Sequence, residues 1–353
     1  MYNTNQHNTK VNQERIQKMI QIENKDGNNF GKIYGDTKTA IPKIKAIGIG
    51  GGGNNAVRQM IEDNVKDVEF YFINTELAML NKTRMDNVLQ IGKETTKGLG
   101  AGANPAMGEK AALESKEDIK QLLQGTSLLF LTAGMGGGTG TGAIPVVAEV
   151  AQEMGIQTIA IVTKPFIFEG KMRASRAENG IEKLKQHVNS LILISNDKLL
   201  QIAGNKKMSI IDAFKMADNV LEQGIKSITD LITSVGDVNV DFADISTMLR
   251  YKGMAYMGIG EASGELRIID AVNQAINNPL TENKINNAKG VIFNVRGSSN
   301  LALSEISDGI AKINDLISAE ANVVFGTTTD ESLDDKVVVT VIATGVDEGY
   351  NNN

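Results

Sequence analysis

Six glycines fall within nine residues in the segment Gly134-Met135-Gly136-Gly137-Gly138-Thr139-Gly140-Thr141-Gly142, and what flanks them narrows the fold more than any other feature of the chain. The apolar run Ser127–Ala133 precedes them, and a helix-compatible apolar run, Ala143–Met154, follows. The order is therefore strand, loop, helix. Without Cβ atoms such a loop can turn successive backbone N–H groups toward an anion, and the helix N-terminus behind it adds partial positive charge. The ligand this predicts is a phosphate. A flexible linker would be flanked by polar sequence, whereas these flanks have the composition of buried segments.

Two more glycine loops stand upstream. Ile44–Ile49 alternates into a strand, and Gly48-Ile49-Gly50-Gly51-Gly52-Gly53 matches G-x-G-x-x-G and opens a helix over about Asn55–Asn64. A strand at Val68–Ile73 ends in Asn74-Thr75-Glu76. Gly98-Leu99-Gly100-Ala101-Gly102-Ala103-Asn104-Pro105 then leads into a helical stretch over Ala106–Leu123. Further strands are expected at Thr158–Val162 and Leu191–Ser195, with a helix at Phe168–His187 between them. This alternation predicts an α/β domain with a Rossmann-like, mostly parallel sheet, its loops gathered at the carboxyl ends of the strands. Three glycine loops on one edge make one large nucleotide site.

The rest of the chain reads differently. Residues 1–42 are polar and are expected to form a disordered extension, although Val11, Ile16, Met19 and Ile20 could line a short amphipathic helix. Over Met208–Thr233 apolar residues recur at helical spacing through Ile211, Phe214, Ala217, Leu221, Ile225, Ile228 and Leu231. A helix of that length can span a domain and act as a strut between two halves. After the loop Gly236–Asp244 and a short helix at Ile245–Tyr251 comes a smaller α+β region. Its helices are expected at Leu266–Asn277 and Ser304–Ile317, and its strands at Gly290–Arg296, Asn322–Gly326 and Val337–Ala343. The boundaries this suggests are 43–207, 208–235 and 236–345, with a tail over 346–353.

Composition closes off several kinds of chemistry. At 353 residues the chain has room for about two cored domains. A net charge of −6, with no clustered Lys/Arg stripe, gives no footprint for nucleic acid. With no cysteine, thiolate nucleophiles, disulfides and cysteine-ligated zinc are excluded, which fits a reducing compartment. His7 and His187 are the only imidazoles, so acid–base work falls to carboxylates. No apolar leader of signal-peptide length occurs at the N-terminus. Thr126–Ala148 lacks charge, but its glycines and Pro145 argue against a membrane span. The expected location is cytoplasmic.

No G-x-x-x-x-G-K-[ST] motif occurs, so phosphates would be held by backbone amides, threonine hydroxyls and a metal ion rather than by a P-loop lysine. Asn239-Val240-Asp241-Phe242-Ala243-Asp244 places two carboxylates three residues apart at a helix start, which suits either capping or chemistry. Glu169 and Arg173 are spaced as a helical ion pair. Phe214 and Asp218, one turn apart, could stack on and hydrogen-bond a base, or could be a core Phe beside a surface Asp.

Taken in register, six of these segments resemble the tubulin/FtsZ family of bacterial cell-division GTPases. They are Gly51-Gly52-Gly53-Asn54-Asn55-Ala56, Gly100–Pro105, Gly134–Gly142, Thr163-Lys164-Pro165-Phe166 with Phe168-Glu169-Gly170, Asn196-Asp197-Lys198, and Asn239–Asp244. The likeness covers about Ile44–Gly345 and implies a GTP-binding domain, a central helix and a C-terminal α+β domain. It implies GTP/GDP as ligand, with Mg2+ bound through the phosphates and no protein metal site. It assigns Gly51, Gly52, Asn55, Ala103, Gly138, Thr139 and Gly140 to the phosphates, and Gly53, Asn54, Gly102, Asn104, Gly136, Gly137, Thr163 and Pro165 to the nucleotide site without a more particular role. Glu169 and Arg173 fall near the ribose, and Asn196, Phe214 and Asp218 at the guanine.

In the resemblance, Asn239, Asp241 and Asp244 are catalytic and enter the site of a neighbouring subunit, so the implied partner is the chain itself in a head-to-tail filament at the mid-cell division ring. Division-machinery and membrane-anchoring proteins are implied as further partners, without direct membrane insertion. The family's usual C-terminal binding peptide does not occur, so the resemblance leaves the tether open, with residues 1–42 as the alternative. Glu76 and Ser195 stand where the family usually has Asp and Pro. Two other readings remain at this point: an NAD-dependent oxidoreductase built on Gly48–Gly53 with Glu76 at the ribose, and a tubulin-like partitioning or regulatory protein.

Overall fold

The computed structural model describes residues 42–83, 85–202, 208–233, 242–277, 285 and 287–346. The N-terminal extension up to residue 41, Asn239, Asp241 and the tail after Val346 lie outside the described residues. The described residues from Lys43 onward form one compact unit.

Ten strands among the described residues form a continuous sheet: β1 Ile44–Ile49, β2 Glu69–Asn74, β3 Val88–Gln90, β4 Leu128–Gly134, β5 Gln157–Lys164, β6 Ser190–Ser195, β7 Gly253–Ala262, β8 Gly290–Gly297, β9 Asn322–Thr329 and β10 Val337–Thr344. Their order is β3-β2-β1-β4-β5-β6-β7-β10-β8-β9. All pairings from β3 to β7 are parallel, whereas β10 is antiparallel to both β7 and β8. β1 and β4 are apolar and almost wholly buried because helices cover both faces of the sheet. Successive residues alternate between two cores. Ile44, Ala46, Leu128 and Phe130 pack with the helices Gly50–Glu62, Ile210–Thr233 and Phe242–Leu249. Ile47, Ile49, Leu129 and Leu131 pack with the helices Pro105–Glu114, Thr139–Glu153 and Lys171–Lys185.

Three helix expectations change. The first helix begins at Gly50, inside the glycine run, rather than near Asn55. The stretch Ala106–Leu123 is two helices meeting at Ser115, whose hydroxyl accepts from Gly92 N–H at 3.0 Å. The segment expected to be helical from Phe168 is a 3-10 turn, Ile167–Glu169, separated from the helix Lys171–Lys185 by Gly170 at φ 96°. The charge-free run Thr126–Ala148 divides between β4 and the helix Thr139–Glu153, and no described helix is long and apolar enough to cross a membrane.

The ten-residue β7 was not expected, and it is the strand that carries the sheet from one half into the other. Its start pairs with β6 at Ser190↔Gly253, and its length pairs with β10. Gly258 and Gly260 let the helix Arg267–Ile276 lie directly on it: an added Cβ would sit 1.8 Å from Ala275 O and 1.9 Å from Ala271 O. The long helix Ile210–Thr233 touches both halves. Gly224 admits Ile161 of β5 and Met257 of β7, and Ser227 Oγ pairs with Thr340 of β10 at 3.0 Å.

Candidate functional site

β1 is where the strand order reverses. β2 and β3 lie to one side of it and β4–β6 to the other. Ligands of open α/β sheets bind outside the carboxyl ends of the strands at such a reversal. Here the loops after β1, β3 and β4 converge on a cleft of about 410 Å3. Gly51, Gly52, Gly102, Ala103, Gly137, Gly138, Thr139, Gly140 and Arg173, all expected at the site, line it together. A dinucleotide fingerprint accounts for the first of these loops and leaves the other two, which line the same cleft, unexplained.

The glycines divide into two tasks that the sequence does not separate. A Cβ added at Gly51, Gly102 or Gly137 meets nothing within 4 Å, so these backbones front open space. A Cβ at Gly53 would lie 2.2 Å from Thr132 O, and one at Gly138 would lie 2.8 Å from Ala101 Cβ. Those glycines let the loops interlock. Ala103 holds φ 56°, a left-handed conformation that a residue with Cβ adopts at some cost, beside Gly102 at φ 57°.

Several expected polar side chains build the walls. Asn54 is buried, and with its amide nitrogen toward the loop it donates to Gly48 O at 2.6 Å while its oxygen accepts from Asn74 Nδ2 at 3.3 Å. Asn55 is exposed and accepts from Arg58 at 3.2 Å. Asn104 caps the helix Pro105–Glu114 by accepting from Ala106 N–H at 3.1 Å. Gly136 N–H donates to Thr141 Oγ1 at 2.8 Å, and buried Thr163 accepts Met135 N–H on its carbonyl at 2.9 Å. Glu169 accepts from Phe166 N–H at 2.9 Å and pairs with Arg173 at 3.0 Å, so both its oxygens are used in holding the turn. Arg173 itself faces the cleft.

A second cleft of about 370 Å3, lined by Pro165, Phe166, Ser195 and Asp197, adjoins the 3-10 turn. Asp197 accepts Ile167 N–H at 2.9 Å, and Phe166 stacks on Phe168 at 4.9 Å and meets Phe214 edge-on at 5.3 Å. Phe214 is therefore an aromatic partner of the turn, not a core residue. Asn196 opens the helix Asn196–Ile202 and is 4% exposed, and its buried Oδ1 has no hydrogen-bond partner among the described residues. Such an acceptor suits the N–H edge of a base. Asp218 lies on the long helix, where burial pushes its carboxyl up to about 7 against the pull of Arg58. One turn on, burial and the carboxyl of Asp63 push Glu222 up to about 7.

Asp244 is exposed, in the first turn of the helix Phe242–Leu249. Ser246 of that helix accepts on its carbonyl from Gln157 at 3.0 Å, and Gln157 begins β5. The phosphate loops lie at the other end of that sheet. The eight residues of β5 separate the two ends by roughly 25 Å at about 3.3 Å per residue.

Asn74 and Met79 line the cleft as well and were not placed there from sequence, whereas Leu99, Gly100 and Ala101 belong to the glycine loop read there and Glu76 to a position that reading had marked. The carboxyl end of β2 was the available signal. Among the described residues no group of three or more His, Asp or Glu could hold a metal ion. Glu76 is the carboxylate lining the cleft and a suitable hard-oxygen donor for a Mg2+ that arrives on phosphates, where it would neutralise their charge.

Residues 43–204 match the Tubulin/FtsZ family, GTPase domain, and residues 253–347 match the FtsZ family, C-terminal domain. Among solved structures, the chain is similar to an empty FtsZ dimer from M. jannaschii, at 40% identity over 89% of this chain and 91% of that one, with a TM-score of 0.83. A single-site FtsZ variant from M. jannaschii matches at 40% identity over 90% and 95%, with a TM-score of 0.84. CetZ2 from Haloferax volcanii, solved as a GTPγS-bound protofilament, shares the fold at 18% identity over 87% and 94%, with a TM-score of 0.73.

Proposed function

We infer the function of this protein from the premise that it belongs to the tubulin/FtsZ family: it is a GTPase whose catalytic site is completed when subunits stack head to tail. The observation that carries this reading is the distance between the two halves of the machinery. The phosphate cradle stands at the carboxyl ends of β1, β3 and β4, while Asp244 stands at the opposite end of β5. One molecule cannot bring them together, whereas a neighbour stacked end to end can.

In this mechanism the amides around Gly51, Gly102 and Gly137 hold the phosphates, with Arg173 beside them. Asn196 and Asp218 read the guanine edge and Phe214 contacts its face. Asp241 and Asp244 of the next subunit orient the attacking water, as a chain short of imidazoles requires. A head-to-tail contact that does not close on itself propagates as a filament, which couples assembly to hydrolysis. The solved FtsZ relative is a dimer and CetZ2 a protofilament, which supports self-association here. We assign the filament to the cytokinetic ring, in the cytoplasm at the division site, with anchoring supplied by other proteins.

Pelleting with GTP and with GDP, with released phosphate measured in parallel, tests the reading. The protein is expected to sediment with GTP. Asp241→Ala and Asp244→Ala should each keep GTP bound while turnover falls roughly a hundredfold. Full turnover in both variants would rule out the shared site.

A further inference from the structure

Beneath the glycine loops lies a buried polar layer that the mechanism above does not use. Thr75, at the end of β2, is 0% exposed. Its N–H donates to Asn74 Oδ1 at 2.9 Å, and its carbonyl accepts from Thr96 Oγ1 at 3.4 Å. Its hydroxyl lies 2.7 Å from the hydroxyl of Thr139, the first residue of the helix Thr139–Glu153 and a residue lining the cleft. Among the described residues, Thr139 Oγ1 is the hydrogen-bond partner of Thr75 Oγ1 and no second one accompanies it.

Two threonine hydroxyls at this distance share one hydrogen bond, and its direction decides what Thr139 offers to a ligand. If Thr139 donated to Thr75, the Thr75 proton would be left buried with no acceptor, a costly arrangement. If Thr75 donates, its proton is satisfied and the Thr139 proton is free to point into the cleft. Thr139 is only partly buried, so that proton can reach solvent or a ligand. We propose that Thr75 is a positioning residue that fixes Thr139 as a hydrogen-bond donor toward the cleft, and so selects for the phosphate groups of the nucleotide. Its donation to Thr139 oxygen also polarises the outward hydroxyl, since linked hydrogen bonds strengthen one another. The proposal rests on the nucleotide reading of the cleft given above.

The test compares GDP with guanosine, which keeps the base and ribose but has no phosphate. Binding of each is measured by calorimetry to wild type, Thr75→Val and Thr75→Ser. Valine keeps the shape and removes the donor, while serine keeps the donor. Valine leaves the Thr139 hydroxyl in place but removes the donor that orients and polarises it, which predicts that Thr75→Val binds GDP roughly fivefold more weakly, with guanosine affinity within about twofold of wild type. Thr75→Ser should bind GDP within about twofold of wild type. In a Thr139→Ala background Thr75→Val should have no further effect on GDP, because the group it positions is gone.

Unchanged GDP affinity in Thr75→Val, equal weakening of GDP and guanosine, failure of serine to rescue, or an undiminished Thr75→Val effect without the Thr139 hydroxyl would each overturn the proposal. If Thr75→Val does not yield folded protein, Thr75→Ala carries the same comparison with the same expected result. Wild-type protein that binds GDP no tighter than guanosine overturns the phosphate cradle and the proposal with it. A wild-type preference that is undiminished in Thr75→Val overturns the role of Thr75 alone.

Discussion

Asp218 faces a requirement that a backbone amide does not. The edge of a guanine presents N–H donors, so a carboxylate that reads it must be ionised. Burial holds Asp218 at about 7 in the unliganded protein, with Arg58 opposing, so below that pH binding must first remove a proton. Ionisation rises from about a tenth at pH 6 to about nine-tenths at pH 8, and the dissociation constant for GDP should be roughly tenfold higher at the lower pH. Asp218→Asn should weaken GDP binding and flatten the profile. A flat wild-type profile by calorimetry would remove Asp218 from the base site. The same shift has a sign for stability. Asp218 and Glu222 both titrate above the ordinary carboxylate range when folded, Glu222 through burial and then Asp63. Their contribution is complete below about pH 4 and is lost as pH rises through about 7. In urea melts of unliganded protein, Glu222→Gln should therefore reduce the loss of stability between pH 5 and 8. An unchanged loss would show that Glu222 titrates normally.

At the scale of elements, β7 and the helix Arg267–Ile276 are joined by the absence of two side chains. A methyl at Gly260 would fall 1.9 Å from Ala271 O, so Gly260→Ala must push helix and strand apart. We expect a loss of about 3 kcal/mol in unfolding free energy from urea melts, and a loss below about 1 kcal/mol would mean that the contact is loose. The same glycines explain why this strand was not legible in the sequence. Gly258 and Gly260 interrupt the apolar alternation that marks a strand, and their reason for being there is a helix backbone that sequence spacing does not reveal. The long helix was legible because Ala217, Leu221, Ile225, Ile228 and Leu231 recur on one buried face. Ile211 and Phe214 share that spacing yet are 68% and 39% exposed, because the helix start stands clear of the core and Phe214 meets Phe166 instead. Strand, loop and helix order gave the position of the cleft from residues such as Gly51 and Gly137. It did not tell these cleft-facing glycines from Gly53 and Gly138, since that depends on which backbone lies behind each.

Across the whole molecule the two ends of the parallel sheet carry different chemistry. The cleft end presents donors for an anion and carries exposed apolar side chains: Leu99 of the cleft lining at 85%, Met172 next to cleft-lining Arg173 at 70%, and Phe168 on the 3-10 turn at 57% exposure. The opposite end presents Asp244. Apolar residues at the rim of a polar cleft suit burial against another subunit. Met172→Glu should accordingly raise the protein concentration needed for GTP-dependent pelleting several-fold, since a buried charge would be left without a partner. GDP affinity should stay within about twofold, and unchanged pelleting would place Met172 outside the contact. The central claim, that the cradle of one chain works with the carboxylates of the next, is tested most directly by GTP turnover per subunit as protein concentration is varied. The account predicts turnover near zero at high dilution, rising to a plateau as subunits stack, with saturating GTP throughout. Turnover per subunit that is the same at every concentration would contradict it.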